Sequence, residues 1–303
     1  MKLDRQKILS SYPWLRDRDR KFIVSASYDG MACASFLAHH FHWTLEGYYD
    51  LSSIWLSEEG INNSKDLIWV DLDIVPKAGK TLGGHIVMLD KQLPAGLKSS
   101  CNPNILHNIS SDSFNQKYPL STLSFLLWLF NISIPANNMA QFLVLHSDST
   151  WLKYQKYTKN FSNWLSILDD YRWDTLFKNI DSIDFEKNID QKFYPLMIQM
   201  SASSGFSKLQ SKHLHIKSRE YQFNPDWDED VIFNLFDLFG QYLFWGPPML
   251  PQIVRKIKGK KYSISIEDVK GMGLNNFIKK NKVFSYAITS SKTIKYTIFE
   301  TIK

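Results

Sequence analysis

Apolar positions in this chain fall into short runs separated by longer amphipathic stretches. "KFIVSAS", starting at Lys21, is apolar and rich in β formers. It leads through a Ser27-Tyr28-Asp29-Gly30 turn into an alanine-rich helix pattern from Met31 to Phe41. "WTLEGYYDL" reads as a second strand. "DLIWVDLDIV" reads as a third, apolar until it meets two acids, and "GHIVMLD" as a fourth that again ends in an acid. "LSTLSFLLWLF" and "ANNMAQFLVLHSD" read as apolar helices. Continuous apolar strands alternating with helices predict a mostly parallel sheet covered on both faces. Such sheets bind ligands beyond the carboxyl ends of their strands, where Asp29, Asp71 and Asp90 fall.

Farther along, "STWLKYQKYTKNFSNWLSILDDYRWDTLF" reads as helical. "KNIDSIDFEKNIDQKF" is charged, lacks a clear apolar period and reads as a linker. "DEDVIFNLFDLFGQYLFWG" is an amphipathic helix stopped by Gly246 and the following prolines. "VFSYAITSSKTIKYTIFETI" reads as a β-hairpin around Ser290-Ser291-Lys292. The expected architecture is α/β: a mostly parallel sheet flanked by helices over residues 1–180, then a smaller basic α+β domain over 195–303.

Bulk composition narrows the class. At 303 residues with 44% hydrophobic and 15% aromatic content, a packed core is expected. Cys33 and Cys101 are too few for a disulfide scaffold and lack metal-pair spacing. The charged N-terminus has no secretory apolar core, and the longest apolar run, "LSFLLWLFNISI", is too short to span a membrane. An intracellular, cytoplasmic protein without a membrane partner is expected. The net charge of +6 is uneven. Pro251–Lys303 carries 12 Lys and Arg against 3 acids, leaving the first 250 residues at about −3. A basic segment beside a mildly acidic body suggests a polyanionic partner. Lys256, Lys258, Lys260 and Lys261 form the candidate phosphate-contacting run, with Tyr262, Phe284, Tyr286 and Tyr296 interleaved.

Four aspartates follow apolar strands or helices: Asp29, Asp71, Asp90 and Asp148. Hard carboxylate oxygens suit Mn²⁺ or Mg²⁺, and two such ions about 3.5–4 Å apart can activate a water and stabilise a leaving oxygen. In order and surroundings these acids resemble the DHH phosphoesterase family, which includes RecJ-type nucleases, oligoribonucleases and pyrophosphatases. That family opens on a strand ending in Asp-x-Asp-Gly, matched by Ser27-Tyr28-Asp29-Gly30. Its second motif is a strand ending in Asp, matched by "LIWVDLD" with Asp71. Its third is a strand ending in Asp-His-His, matched by "GHIVMLDKQ" with Asp90, and Asn102-Pro103-Asn104 follows at a fitting distance. Its fourth is an Asp after an apolar helix, matched by Asp148 in "FLVLHSDST".

The resemblance covers about residues 20–165. It implies that Asp29, Asp71, Asp90 and Asp148 are the catalytic and metal-ligand positions. The departures are specific. Ser27 replaces the first acid of the opening pair, and Lys91 and Gln92 replace both histidines of the third motif. The implied metal shell is therefore reduced, holding one Mn²⁺ or Mg²⁺ ion or none. The implied function is binding of single-stranded nucleic acid, a nucleotide or another phosphodiester, with catalysis weakened or lost. Inactive relatives serve as DNA-binding or scaffold subunits in replication or repair complexes. The alternatives are an active Mn- or Mg-dependent phosphoesterase or nuclease with an altered metal shell, and an unrelated α/β binding module whose acids are structural.

Smaller signals carry less. "IWVDLDIV" also matches the opening of haloacid-dehalogenase-like phosphatases, with Asp71 as nucleophile and Asp73 as general acid, but about 65 residues precede it. His39 and His40 point in different directions on one helix and do not share an ion. His85, His107 and His146 lie near element ends, where a ligand or a capping role is open to each. Gly83-Gly84-His85 reads as a turn.

Overall fold

The structure is a computed structural model. It describes residues 2–75, 79–177, 180–199, 203–204, 209–215, 221–226, 229–290 and 292–300. The strands are β1 (Lys21–Ser25), β2 (Thr44–Tyr49), β3 (Ser53–Ser57), β4 (Ile68–Val70), β5 (Lys80–Leu82), β6 (Ser100–Cys101), β7 (Ser203–Ser204), β8 (Tyr221–Gln222), β9 (Ile253–Lys258), β10 (Lys260–Ser265), β11 (Val283–Ile288) and β12 (Thr293–Ile298). Seven of them form one sheet in the order β6-β5-β4-β1-β2-β3-β9. The five from β6 to β2 are parallel, while β3 and β9 add antiparallel pairings at the far edge.

The apolar runs explain why these strands sit centrally. Phe22, Ile23 and Val24 of β1 are all fully buried, as the middle strand of a doubly covered sheet requires. Alternate residues feed opposite faces. Phe22, Val24, Ile68 and Val70 join the main core beneath the helices, whereas Ile23 and Trp69 join a second cluster on the other face. The helix Tyr28–Phe41 lies on the first face with the helix Thr122–Phe130, and Met31, Ala32, Phe36 and Leu126 pack there without exposure. On the second face, Phe284 packs edge-on against Tyr49, Trp69 and Phe299, and Phe299 lies tilted against Tyr49. Tyr49 and Ser285 share a hydroxyl hydrogen bond of 2.6 Å, and the Thr297 hydroxyl donates to the Leu51 carbonyl at 2.6 Å.

The C-terminal hairpin forms as expected, β11 pairing with β12, and β10 adds on the other side of β12. Ser291, at its turn, lies outside the described residues. Two segments differ from the sequence reading. "GHIVMLD" is not a strand: residues 84–90 make only isolated bridges, Met88 to Ser110 and Leu89 to Gln92. The strand beside β4 is β5, ending before Gly83, and Ile86, Val87 and Leu89 are buried as a core plug instead. Apolar run length alone cannot separate a buried loop from a buried strand. The expected linker contains a helix, Ser182–Asn188, with Phe185, Ile189 and Phe193 buried at four-residue intervals. Strand β9, from the segment assigned to the second domain, joins the edge of the first sheet. Among the described residues no helix is long and apolar enough to cross a membrane.

Gly30 marks the closest approach of helix to sheet: a Cβ there would stand 2.0 Å from the Ser25 carbonyl oxygen. Helix propensity would favour alanine by about 1 kcal/mol, but a clash with backbone cannot relax cheaply. Gly30→Ala is expected to lower stability by about 2 kcal/mol or more, read from the urea midpoint. A variant as stable as the wild type would contradict this packing.

Candidate functional site

Three of the four singled-out aspartates lie together beyond the carboxyl ends of β1 and β4. Ser27 caps the helix Tyr28–Phe41, its hydroxyl accepting from the Gly30 amide at 3.0 Å and lying 3.0 Å from Asp71 Oδ2 and 2.5 Å from the Ser25 hydroxyl, which share its one hydrogen. Asp71 leaves β4 with a left-handed backbone, φ +56°, a conformation Asp tolerates better than most residues. Its Oδ2 also accepts from the Ser25 hydroxyl. Its Oδ1 accepts from the Thr122 hydroxyl at 2.7 Å and from His85 Nε2 at 3.0 Å.

Asp29 is buried in the first turn of its helix, and its carboxylate reaches a different helix. Oδ2 accepts from the Thr122 amide at 2.7 Å and Oδ1 from the Leu123 amide at 3.1 Å. These are first-turn donors of the helix Thr122–Phe130, where a negative charge is favourable. Ser121 caps the same helix through the Ser124 amide at 3.0 Å. The Cys33 thiol donates weakly to Asp29 Oδ1 at 3.8 Å.

Asp148 is half-buried, also in a left-handed conformation, and pairs with Lys153 Nζ at 2.6 Å. Its charge acts on both Asp29 and His85. Asp90 is placed elsewhere. It is exposed and pairs with Lys270 Nζ at 2.6 Å, on the helix Ile266–Met272. Among the described residues it shares no hydrogen bond with Asp29, Asp71 or Asp148. The reason is the shifted strand: β5 delivers Gly83-Gly84-His85, not Asp90, beside Asp71.

His85 stands beside Asp71; the sequence leaves a ligand or capping role open to it and reads Gly83-Gly84-His85 as a turn. The turn is braced by Asp73, which accepts from Ser100 Oγ at 2.9 Å, Asn102 Nδ2 at 2.9 Å and the Ile86 amide at 3.3 Å. Asn104 Nδ2 donates to the Gly84 carbonyl at 2.7 Å. Asn102 and Asn104 thus hold the turn from below.

The electrostatics follow from these contacts. Burial pushes the Asp29 carboxyl well above its usual value, helped by the charges of Asp71 and Asp148 and opposed by the Thr122 and Leu123 amides. Burial also acts upward on Asp71, but His85, Ser25 and Thr122 outweigh it and hold it below the usual carboxylate value. Burial lowers His85, yet the Asp71 charge and hydrogen bond, with Asp148 behind, carry it up to about 9. Burial raises Asp73, against Asn102 and Ser100.

The donor set does not fit the divalent ion that the resemblance implies. Both Asp29 oxygens hold main-chain amides, Asp71 is surrounded by the Ser25–Ser27 hydroxyl pair, Thr122 and His85, and Asp148 and Asp90 each hold a lysine. Among the described residues, no three His, Cys, Asp or Glu side chains are grouped to hold a metal ion. Of the phosphate-contact candidates, Lys256 pairs with Asp226 and lies 4.7 Å from the Trp55 ring centroid. Lys260 pairs with Glu300, and Lys258 and Lys261 are exposed. Comparison with known proteins adds no relative: no family model, curated protein or solved structure matches the chain.

The His85–Asp71 contact sets a pH signature. A histidine raised on folding contributes stability fully below about pH 6.5, lost as pH rises through about 9. Asp71, lowered on folding, contributes stability that is lost as pH falls through its folded pKa, below the ordinary value of 3.8. Wild-type melting temperature should therefore fall between pH 6.5 and 9 more steeply than that of His85→Gln. Parallel profiles would contradict the pairing.

Proposed function

We propose that this is a DHH-like protein that binds single-stranded nucleic acid or another phosphodiester polyanion, with phosphoesterase chemistry weakened or lost. The observation that carries the reading is the basic surface at the β9–β10 junction. Arg255, Lys256, Lys258, Lys260 and Lys261 are exposed within seven residues, and β10 pairs Ser263 with the exposed Lys295 of β12. Lys256 pairs with Asp226 and Lys260 with Glu300. Tyr262, 41% exposed, stacks on Tyr296 with ring centroids 5.4 Å apart. Clustered cations beside an exposed ring suit a flexible strand whose phosphates and bases are held separately.

The saturated carboxylates support the loss of catalysis, because the acids are committed to protein donors. One observation favours the active-phosphoesterase alternative: Asp29, Asp71, Asp148 and His85 do converge at strand ends, with left-handed backbone at Asp71 and Asp148.

Fluorescence anisotropy with labelled oligo-dT tests the reading. Affinity should fall linearly with log salt concentration. Lys258→Glu/Lys261→Glu should weaken binding about tenfold or more and flatten the slope by roughly 1.4, for two lost single-strand phosphate contacts. Lys65→Glu, an exposed change elsewhere, should leave it intact. Equal affinity in the double variant and the wild type would overturn the proposed interface. Mn²⁺-dependent cleavage of the same oligonucleotide, lost in Asp71→Asn, would favour the alternative.

A further inference from the structure

We propose that Asp71 is a structural hub sealed by the protein's own donors, and that Ser27 and His85 are the residues that close the acid cluster to a divalent cation. The inference rests on donor geometry and is independent of nucleic-acid binding at β9–β10.

Asp71 gathers four separate pieces of chain. Ser25 and Ser27 come from the exit of β1, His85 from the turn after β5, Thr122 from the first turn of a core helix, and Asp71 itself ends β4. A cation at this carboxylate would need its oxygens within about 2.0–2.6 Å and largely free of other donors. Oδ1 already holds the imidazole at 3.0 Å and the Thr122 hydroxyl at 2.7 Å, and Oδ2 is met by the hydrogen-bonded Ser25–Ser27 hydroxyl pair, whose two oxygens are 2.5 Å apart.

The Ser27 hydroxyl accepts from the Gly30 amide and places its one hydrogen between the Ser25 hydroxyl at 2.5 Å and Asp71 Oδ2 at 3.0 Å. An acid there would offer the cluster another ligand, whereas serine offers a hydrogen. His85 adds a donor from the open side, with its side chain 40% exposed. Asp29 is closed differently. Turning it toward an ion would release the Thr122 and Leu123 amides at the start of a nine-residue helix. Asp148 is held by Lys153. Protein donors thus stand at each acid where a cation would otherwise supply the compensating charge.

The test uses the full chain, with Mn²⁺ as the only ligand. Wild type is titrated calorimetrically and melted with Mn²⁺ and with chelator, beside Asp71→Asn and Ser27→Asp/His85→Ala. The expected results are no saturable heat for wild type and a melting temperature unchanged by either treatment. Asp71→Asn should melt several degrees lower, with or without Mn²⁺. The double variant should gain saturable Mn²⁺ binding and melt higher with the ion than without it. Saturable wild-type binding that Asp71→Asn removes would overturn the proposal, as would a folded double variant that still takes no ion. If the double variant does not fold, Ser27→Asp alone is read by the same two criteria.

Discussion

A buried carboxylate must be satisfied or it costs several kcal/mol, and the architecture around Asp71 meets that constraint. The residue is only 4% exposed, yet its oxygens are met by hydroxyls and an imidazole from three other segments of the chain. Hydrogen bonds to a charged group contribute about 1.5–3 kcal/mol each when buried, so the arrangement offsets burial and also fixes where β1, β4, the Gly-Gly-His turn and the helix Thr122–Phe130 meet. Asp29 repeats the device one layer away, capping that helix from another element. Asp73 repeats it beneath the turn, tying β6 and Asn102 to Ile86. Three buried aspartates thus act as junctions between segments distant in sequence.

The opposite face of the sheet solves a different problem. A mostly parallel sheet must be covered on both sides, and over Ile23, Tyr49 and Trp69 the short helix Glu58–Asn62 adds Ile61. Phe284 and Phe299 complete the cover, brought by β11 and by the residue after β12. Strand β9 extends the same sheet, which fixes the basic β9–β10 junction against a rigid edge. In the proposed reading, the polyanion is held on this edge while the acid cluster serves the fold.

Local pattern was enough to place β1, β2 and β4, the two apolar helices and the terminal hairpin, because each is a run whose period or length is distinctive. It also put Asp29, Asp71 and Asp148 near strand or helix ends. The failures have physical causes. Ile86 to Leu89 are as apolar as a strand but plug the core without a ladder, so Asp90 was placed at a strand end that β5 occupies with His85. Asp90 instead meets Lys270, a contact across 180 positions that no local signal reports. The segment 182–193 hid its Phe185-Ile189-Phe193 stripe among charges. That Thr122 and Ser25 complete the Asp71 site depends on how distant elements pack, which periodicity does not encode.

The central claim is that protein donors, His85 among them, occupy Asp71 in place of a cation. The most direct measurement is the nitrogen-15 NMR signal of the His85 ring during Mn²⁺ titration. The account predicts a hydrogen-bonded Nε2–H resonance that stays sharp at stoichiometric Mn²⁺ and shifts in Asp71→Asn. Selective broadening of that ring at stoichiometric ion would place the metal within a few ångströms of His85 and contradict the account.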